Sequence, residues 1–272
     1  MMSPDLLFWF ALALKMAMTA AIVVIVSVAV ERSGPFIGAL IAALPSAAGA
    51  AYIILAIEHP PSFIAGSVVG SAAATAAVSV FAVVYTVLAQ RHGLVLSLAV
   101  ALAIWFIAAA ALQPVGWTPG SAALLNIVTF GVTVPLSWRY RTSGPPVKFL
   151  RTAFDIPLRA LTTAIVVAIV TTASHSIGSF ASGVFAVFPI VLCSSIVILH
   201  PRIGGKATAS MLAHAQVALI GLWLGFLAAH YLVEPVGVWP ALGLGLAICV
   251  GWCVVLWLFR AVARRRALKI ST

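Results

Sequence analysis

With 272 residues, 64% of them hydrophobic and 7% charged, the chain holds more apolar surface than a water-soluble fold can bury, whereas a bilayer solvates it. A net charge of +10 could suit nucleic acid, but the basic residues sit in short breaks between apolar runs. There they read as topology signals and lipid-headgroup contacts, so a lipid partner is expected, nucleic acid is not, and the length leaves no room for a soluble domain.

A helix needs about 20 apolar residues to cross a bilayer. Nine runs qualify, at roughly 8–30, 35–57, 62–89, 94–112, 120–138, 158–174, 178–199, 206–232 and 238–259. The first is too long for a cleavable signal peptide. The breaks carry turn residues or charge: Glu31–Gly34, His59-Pro60-Pro61, Arg91-His92-Gly93, Gln113-Pro114, Arg139–Pro157, Ser174–Ser176, His200–Gly205 and Glu234-Pro235. The fifth run is the weakest, being short and containing Asn126 and Pro135. Cys193, Cys249 and Cys253 all fall inside apolar runs and read as small packing residues rather than a disulfide or zinc framework.

The chain is written twice. LKMAMTAAIVVIVSVAVERSGPFIGALIAALPS from Leu14 returns as LRALTTAIVVAIVTTASHSIGSFASGVFAVFPI from Leu158, and after a short deletion His59-Pro60 meets His200-Pro201. Nine crossings place every basic residue but Lys15 on the face holding the C-terminus, which makes that face cytoplasmic and the N-terminus periplasmic. Equivalent loops of the two repeats then carry opposite charge bias. The expected fold is therefore an all-α transmembrane bundle with an inverted four-plus-one-plus-four repeat: 1–112, a linker 113–157 that includes the fifth helix, and 158–272. Dropping the fifth run instead gives eight helices in parallel repeats with both ends cytoplasmic. That alternative leaves a very apolar loop to be accommodated.

At the stretch from Lys15 through RSGPFIGALIAALP, the sequence resembles the small four-helix GlpM-like bacterial inner-membrane proteins. They open on a basic residue and follow it with a Gly-rich second helix centred on Leu-Pro or Phe-Pro. The second half resembles them at LRALTTAIVVAIV, SGVFAVFPIV and GVWPALGLGLA. The resemblance covers about 15–112 and 158–258. It implies a four-helix unit that pairs antiparallel and is here fused into one chain, but no substrate or catalytic residue.

Pro45 and Pro189 fall midway along the second helix of each repeat, where a proline removes a ladder hydrogen bond. The freed carbonyls, near residues 41 and 185, call for partners, and Ser46, Ser194 and Ser195 are the nearby hydroxyls. Either the two breaks meet near the midplane as a solute site, or they are kinks of the kind membrane helices tolerate. Lys15 and Arg159 open the first helix of each repeat, and each either snorkels to the interface or meets an anionic solute. No run has a carboxylate at its centre. Glu31, whose repeat counterpart is His175, is the nearest candidate for a proton relay unless adjacent Arg32 neutralises it.

His214 and Gln216 are the most polar residues within a run and should face the bundle interior. Two positions apart, they point about 200° away from each other on a helix and do not share a ligand. His214 either carries a proton near neutral pH or, like Gln216 and Asn126, hydrogen-bonds a neighbouring helix. Gly66xxxGly70 and Gly221xxxGly225 mark seams within the chain. No nucleotide loop, metal-ligand cluster or nucleophile–base pair is legible, so no cofactor, metal or catalytic residue is expected.

These features point to a multi-pass permease of the bacterial inner membrane, with a small anionic or amphipathic solute held between the halves; a homodimer is left open. The alternative is a non-catalytic accessory subunit of an envelope export or biosynthesis complex. A membrane-embedded enzyme on lipid-linked substrates would need a polar cluster at one membrane surface. A carrier should show a midplane cavity at the Pro45 and Pro189 breaks, an accessory subunit a solid interior.

Overall fold

The computed structural model describes residues 10, 13–25, 46–141 and 155–270, with the side chains of 260 and 262–270 excepted. Among the described residues there are nine helices and no strand: α1 (Ala13–Ile25), α2 (Ser46–Glu58), α3 (Pro61–Leu88), α4 (Leu94–Leu112), α5 (Pro119–Trp138), α6 (Asp155–Ala186), α7 (Ile190–Ile203), α8 (Gly205–Val236) and α9 (Val238–Ile270). Six of them, α3, α4, α5, α6, α8 and α9, are long and apolar enough to cross a membrane, the mark of a membrane protein. The weak fifth run forms one continuous helix of 20 residues. A reciprocal Thr118–Ser121 capping box starts it, with Pro119 in its first turn.

The boundaries differ from expectation in the second half. The break expected at Ser174–Ser176 falls instead at Gly178, where two helical segments of α6 meet across a kink with φ 80° and ψ 173°, a conformation that suits a residue without a Cβ. The expected single span 178–199 is two half-helices interrupted at Val187–Pro189, where Pro189 has φ −74° and ψ 41°. The breaks expected at His200–Gly205 and Glu234-Pro235 shrink to Gly204 and Gly237, with φ of 81° and 86°. Pro201 and Pro235 are absorbed into the last turns of α7 and α8. A glycine that can turn left-handed ends each of these helices, and the nearby proline does not.

The centre of the bundle is α3: 89% of its apolar window is buried, against 22% for α4 and 17% for α9. It packs on α8, α6, α4 and α5. Close approach comes from small residues. A side chain at Gly70 would overlap the Phe180 carbonyl, one at Gly183 the Ser67 carbonyl, and one at Gly66 the Ser179 side chain. Gly221 lies against Trp252 and Gly225 against Gly245, so both glycine motifs sit in seams within the chain.

Polarity is arranged as lipid demands. Val95 and Phe259 are 80% and 72% exposed, while Ser67, Ser71, Thr75, Ser79, Asn126 and Gln216 are fully buried. Helices α3 and α8 run antiparallel. His230 Nδ1 meets the Ala65 carbonyl (2.9 Å), Ser79 meets Gln216 (2.8 Å) and Thr86 donates to the Ala209 carbonyl (3.4 Å), with no slip in register. From Ala65 to Thr86 the seam runs about 30 Å, close to the thickness of a hydrocarbon core.

Candidate functional site

Polar side chains gather at three levels along α3. The middle level joins five helices. Ser71 Oγ donates to the Gly183 carbonyl at 2.7 Å, so the Tyr52 hydroxyl, also 2.7 Å away, is the donor to Ser71. Ser79 Oγ donates to Gln216 Oε1, Gln216 Nε2 donates back to the Ser79 carbonyl, both at 2.8 Å, and Thr133 of α5 joins at 2.7 Å. Asn126 Nδ2 donates to the Ala72 and Ala122 carbonyls at 2.7 and 2.8 Å. Gln216 and Asn126 thus hold α8 and α5 to α3. His214, half-buried, turns its Nδ1 to the Ser210 carbonyl of its own helix at 2.7 Å.

Near this level lies the break at Val187–Pro189. Helix α7 starts at Ile190 directly after Pro189, while the residues preceding Ser46 of α2 lie outside the described ones. Pro45 itself lies outside the described residues, as does Glu31. The carbonyl expected to be freed at residue 185 accepts instead from Phe188 N–H, in a tight turn. Ser194 and Ser195 bond back to the Val191 carbonyl at 3.0 and 2.7 Å and do not serve the break. Aromatic rings fill the space beside it: Trp105 packs edge-on against Phe188, centroids 4.9 Å apart, and also touches Phe185. Trp105 Nε1 and Asn126 Oδ1 are buried with no hydrogen-bond partner.

At the Pro61 end of α3, Lys15 pairs with Glu58 at 2.7 and 3.0 Å. His59 follows Glu58, stacks on Phe63 and lies 4.4 Å from His175, centroid to centroid. Ser174 Oγ donates to the Thr171 carbonyl at 2.6 Å, so His59 Nε2–H is the donor in the 2.7 Å bond to Ser174, and Nδ1 keeps a lone pair. Partial burial, then the nearby His175, hold the His59 imidazole below the usual histidine range, with Glu58 opposing. Ligand atoms of Glu58, His59 and His175 lie within 4.8 Å of one another.

At the Tyr85 end, Arg202 forms a forked pair with Asp155 at 2.8 and 2.9 Å, Arg159 donates to Ser195 at 3.1 Å, and His200 Nδ1 meets the Tyr85 hydroxyl at 2.7 Å. A cleft of ≈ 440 Å³ opens beside that end, lined by Val87, Leu88, Gln90, Arg91, His92 and Tyr140.

The sequence reading missed the hydroxyl row of α3 and the Glu58–His59–His175 group. Spacing would have revealed the first, since Ser67, Ser71, Thr75 and Ser79 recur every fourth residue. No spacing rule could reveal the second, because its members come from different halves. A scan against protein-family models, a search of curated proteins and a search of solved structures each return no match.

Proposed function

We propose that the protein is a multi-pass permease of the bacterial inner membrane that moves a small solute by rocking one inverted half against the other, with its N-terminus periplasmic and its C-terminus cytoplasmic. Each half would be a four-helix unit of the GlpM-like kind. One observation carries the reading: α3 and α8, the third helices of the proposed halves, pack antiparallel in unbroken register. The buried, unpartnered Trp105 Nε1 and Asn126 Oδ1 add support, since each unmade bond costs roughly 1–3 kcal/mol that a polar solute would recover.

Single cysteines at Ser46, Ser194 and His214, placed in a chain whose native cysteines are replaced, test the reading with an impermeant maleimide added from either side. A permease exposes Ser46 and Ser194 to one side or the other. Protection of all three from both sides, or reporter tags placing both termini on one face, would end this account.

The second reading is an accessory subunit. It is favoured by the aromatic packing of Trp105, Phe185 and Phe188 beside the break, and by a cleft that lies at the end of α3, away from the break. Complete protection combined with opposite termini would support it.

A further inference from the structure

We propose that Glu58, His59 and His175 bind a divalent transition-metal ion of the zinc class, clamping the end of α2 to α6. This inference stands apart from solute transport. Two imidazoles and a carboxylate form a donor set that such ions favour over magnesium or calcium, and three protein ligands leave a fourth position open. Around a tetrahedral ion the ligand atoms would stand about 3.3 Å apart. The present spread, within 4.8 Å, closes through rotation of His175, whose side chain is exposed.

The surroundings of His59 are those of a ligand. Its Nε2–H is held by Ser174, whose own hydrogen is committed to Thr171, and this fixes the tautomer and leaves Nδ1 with a lone pair. Phe63, stacked at 3.7 Å, sets the ring plane. Lys15 engages both Glu58 oxygens, but each keeps a further lone pair. Its positive charge opposes the cation, so Lys15 weakens the site without abolishing it.

The full-length protein, carrying an affinity tag without histidine and purified in detergent, is titrated with Zn²⁺ and with Co²⁺ as a spectroscopic probe. The expected result is about one ion per chain and a visible Co²⁺ band of a four-coordinate site. His175→Gln, at an exposed position where folding should persist, weakens binding at least about tenfold, Ser174→Ala weakens it less, and Lys15→Gln tightens it. Melting without metal, unchanged in His175→Gln, shows that its loss of binding is not loss of fold. Uptake as tight in His175→Gln as in the unaltered chain, or no uptake at all, overturns the proposal.

Discussion

At the Pro61 end of α3, His59 reaches across to α6 through a 2.7 Å bond to Ser174; at the Tyr85 end, His200 reaches across to α3 through a 2.7 Å bond to Tyr85. Both histidines precede a proline, His59-Pro60 and His200-Pro201, and each touches the other half of the chain. An ion pair accompanies each corner, with its polarity exchanged. The first helix supplies Lys15 to Glu58 at one end and Asp155 to Arg202 at the other. The two corners thus share a geometry but differ in chemistry. One end gathers ligand-type nitrogens and an oxygen; the other has a phenol and two guanidinium groups.

The comparison can be broken first through the scaffold both corners share. Gly183→Val drives a side chain into the Ser67 carbonyl, and we expect a loss of about 3 kcal/mol or of folded protein altogether, measured by denaturation in detergent. A near-neutral result would mean that the α3–α6 seam is looser than described. Next, Gln216→Leu removes both hydrogen bonds between Ser79 and α8 and leaves the Ser79 hydroxyl only Thr133, for about 1–2 kcal/mol, and both corners should loosen together in hydrogen exchange.

Tyr85→Phe and Ser174→Ala then sharpen the comparison, because each deletes one cross-half hydrogen bond. Equivalent corners predict similar costs of about 1 kcal/mol by thermal denaturation, and a gap of several-fold would show that the two ends no longer do the same mechanical job. The smallest effects belong to the ion pairs. A double-mutant cycle on Lys15 and Glu58, partly shielded at 18% and 24% exposure, should give roughly 0.5–1 kcal/mol. The cycle on Asp155 and the more exposed Arg202 should give less, and the reverse order would contradict the shielding argument.

Much of the frame was legible in the residues. Long apolar runs have to become helices in lipid, so α3, α4, α5, α8 and α9 fall near their expected places. The glycine motifs marked seams because a missing Cβ is needed wherever two backbones touch. Break positions were harder to read. Pro201 and Pro235 suggested ends that the chain makes at Gly204 and Gly237, since a proline in the last turn costs little when a left-handed residue follows. The roles of Ser194, Ser195 and His214 were also invisible, because a hydroxyl or imidazole on a helix can bond its own backbone as readily as a ligand.

By itself the sequence determined the apolar, helical character of the chain, which follows from local composition and spacing. Only the tertiary structure decided which polar groups meet: Lys15 with Glu58, His59 with His175, Gln216 with Ser79. Two of those encounters join residues from opposite halves of the chain and the third joins two different helices, so their energies exist only once α1, α2, α3, α6 and α8 have packed.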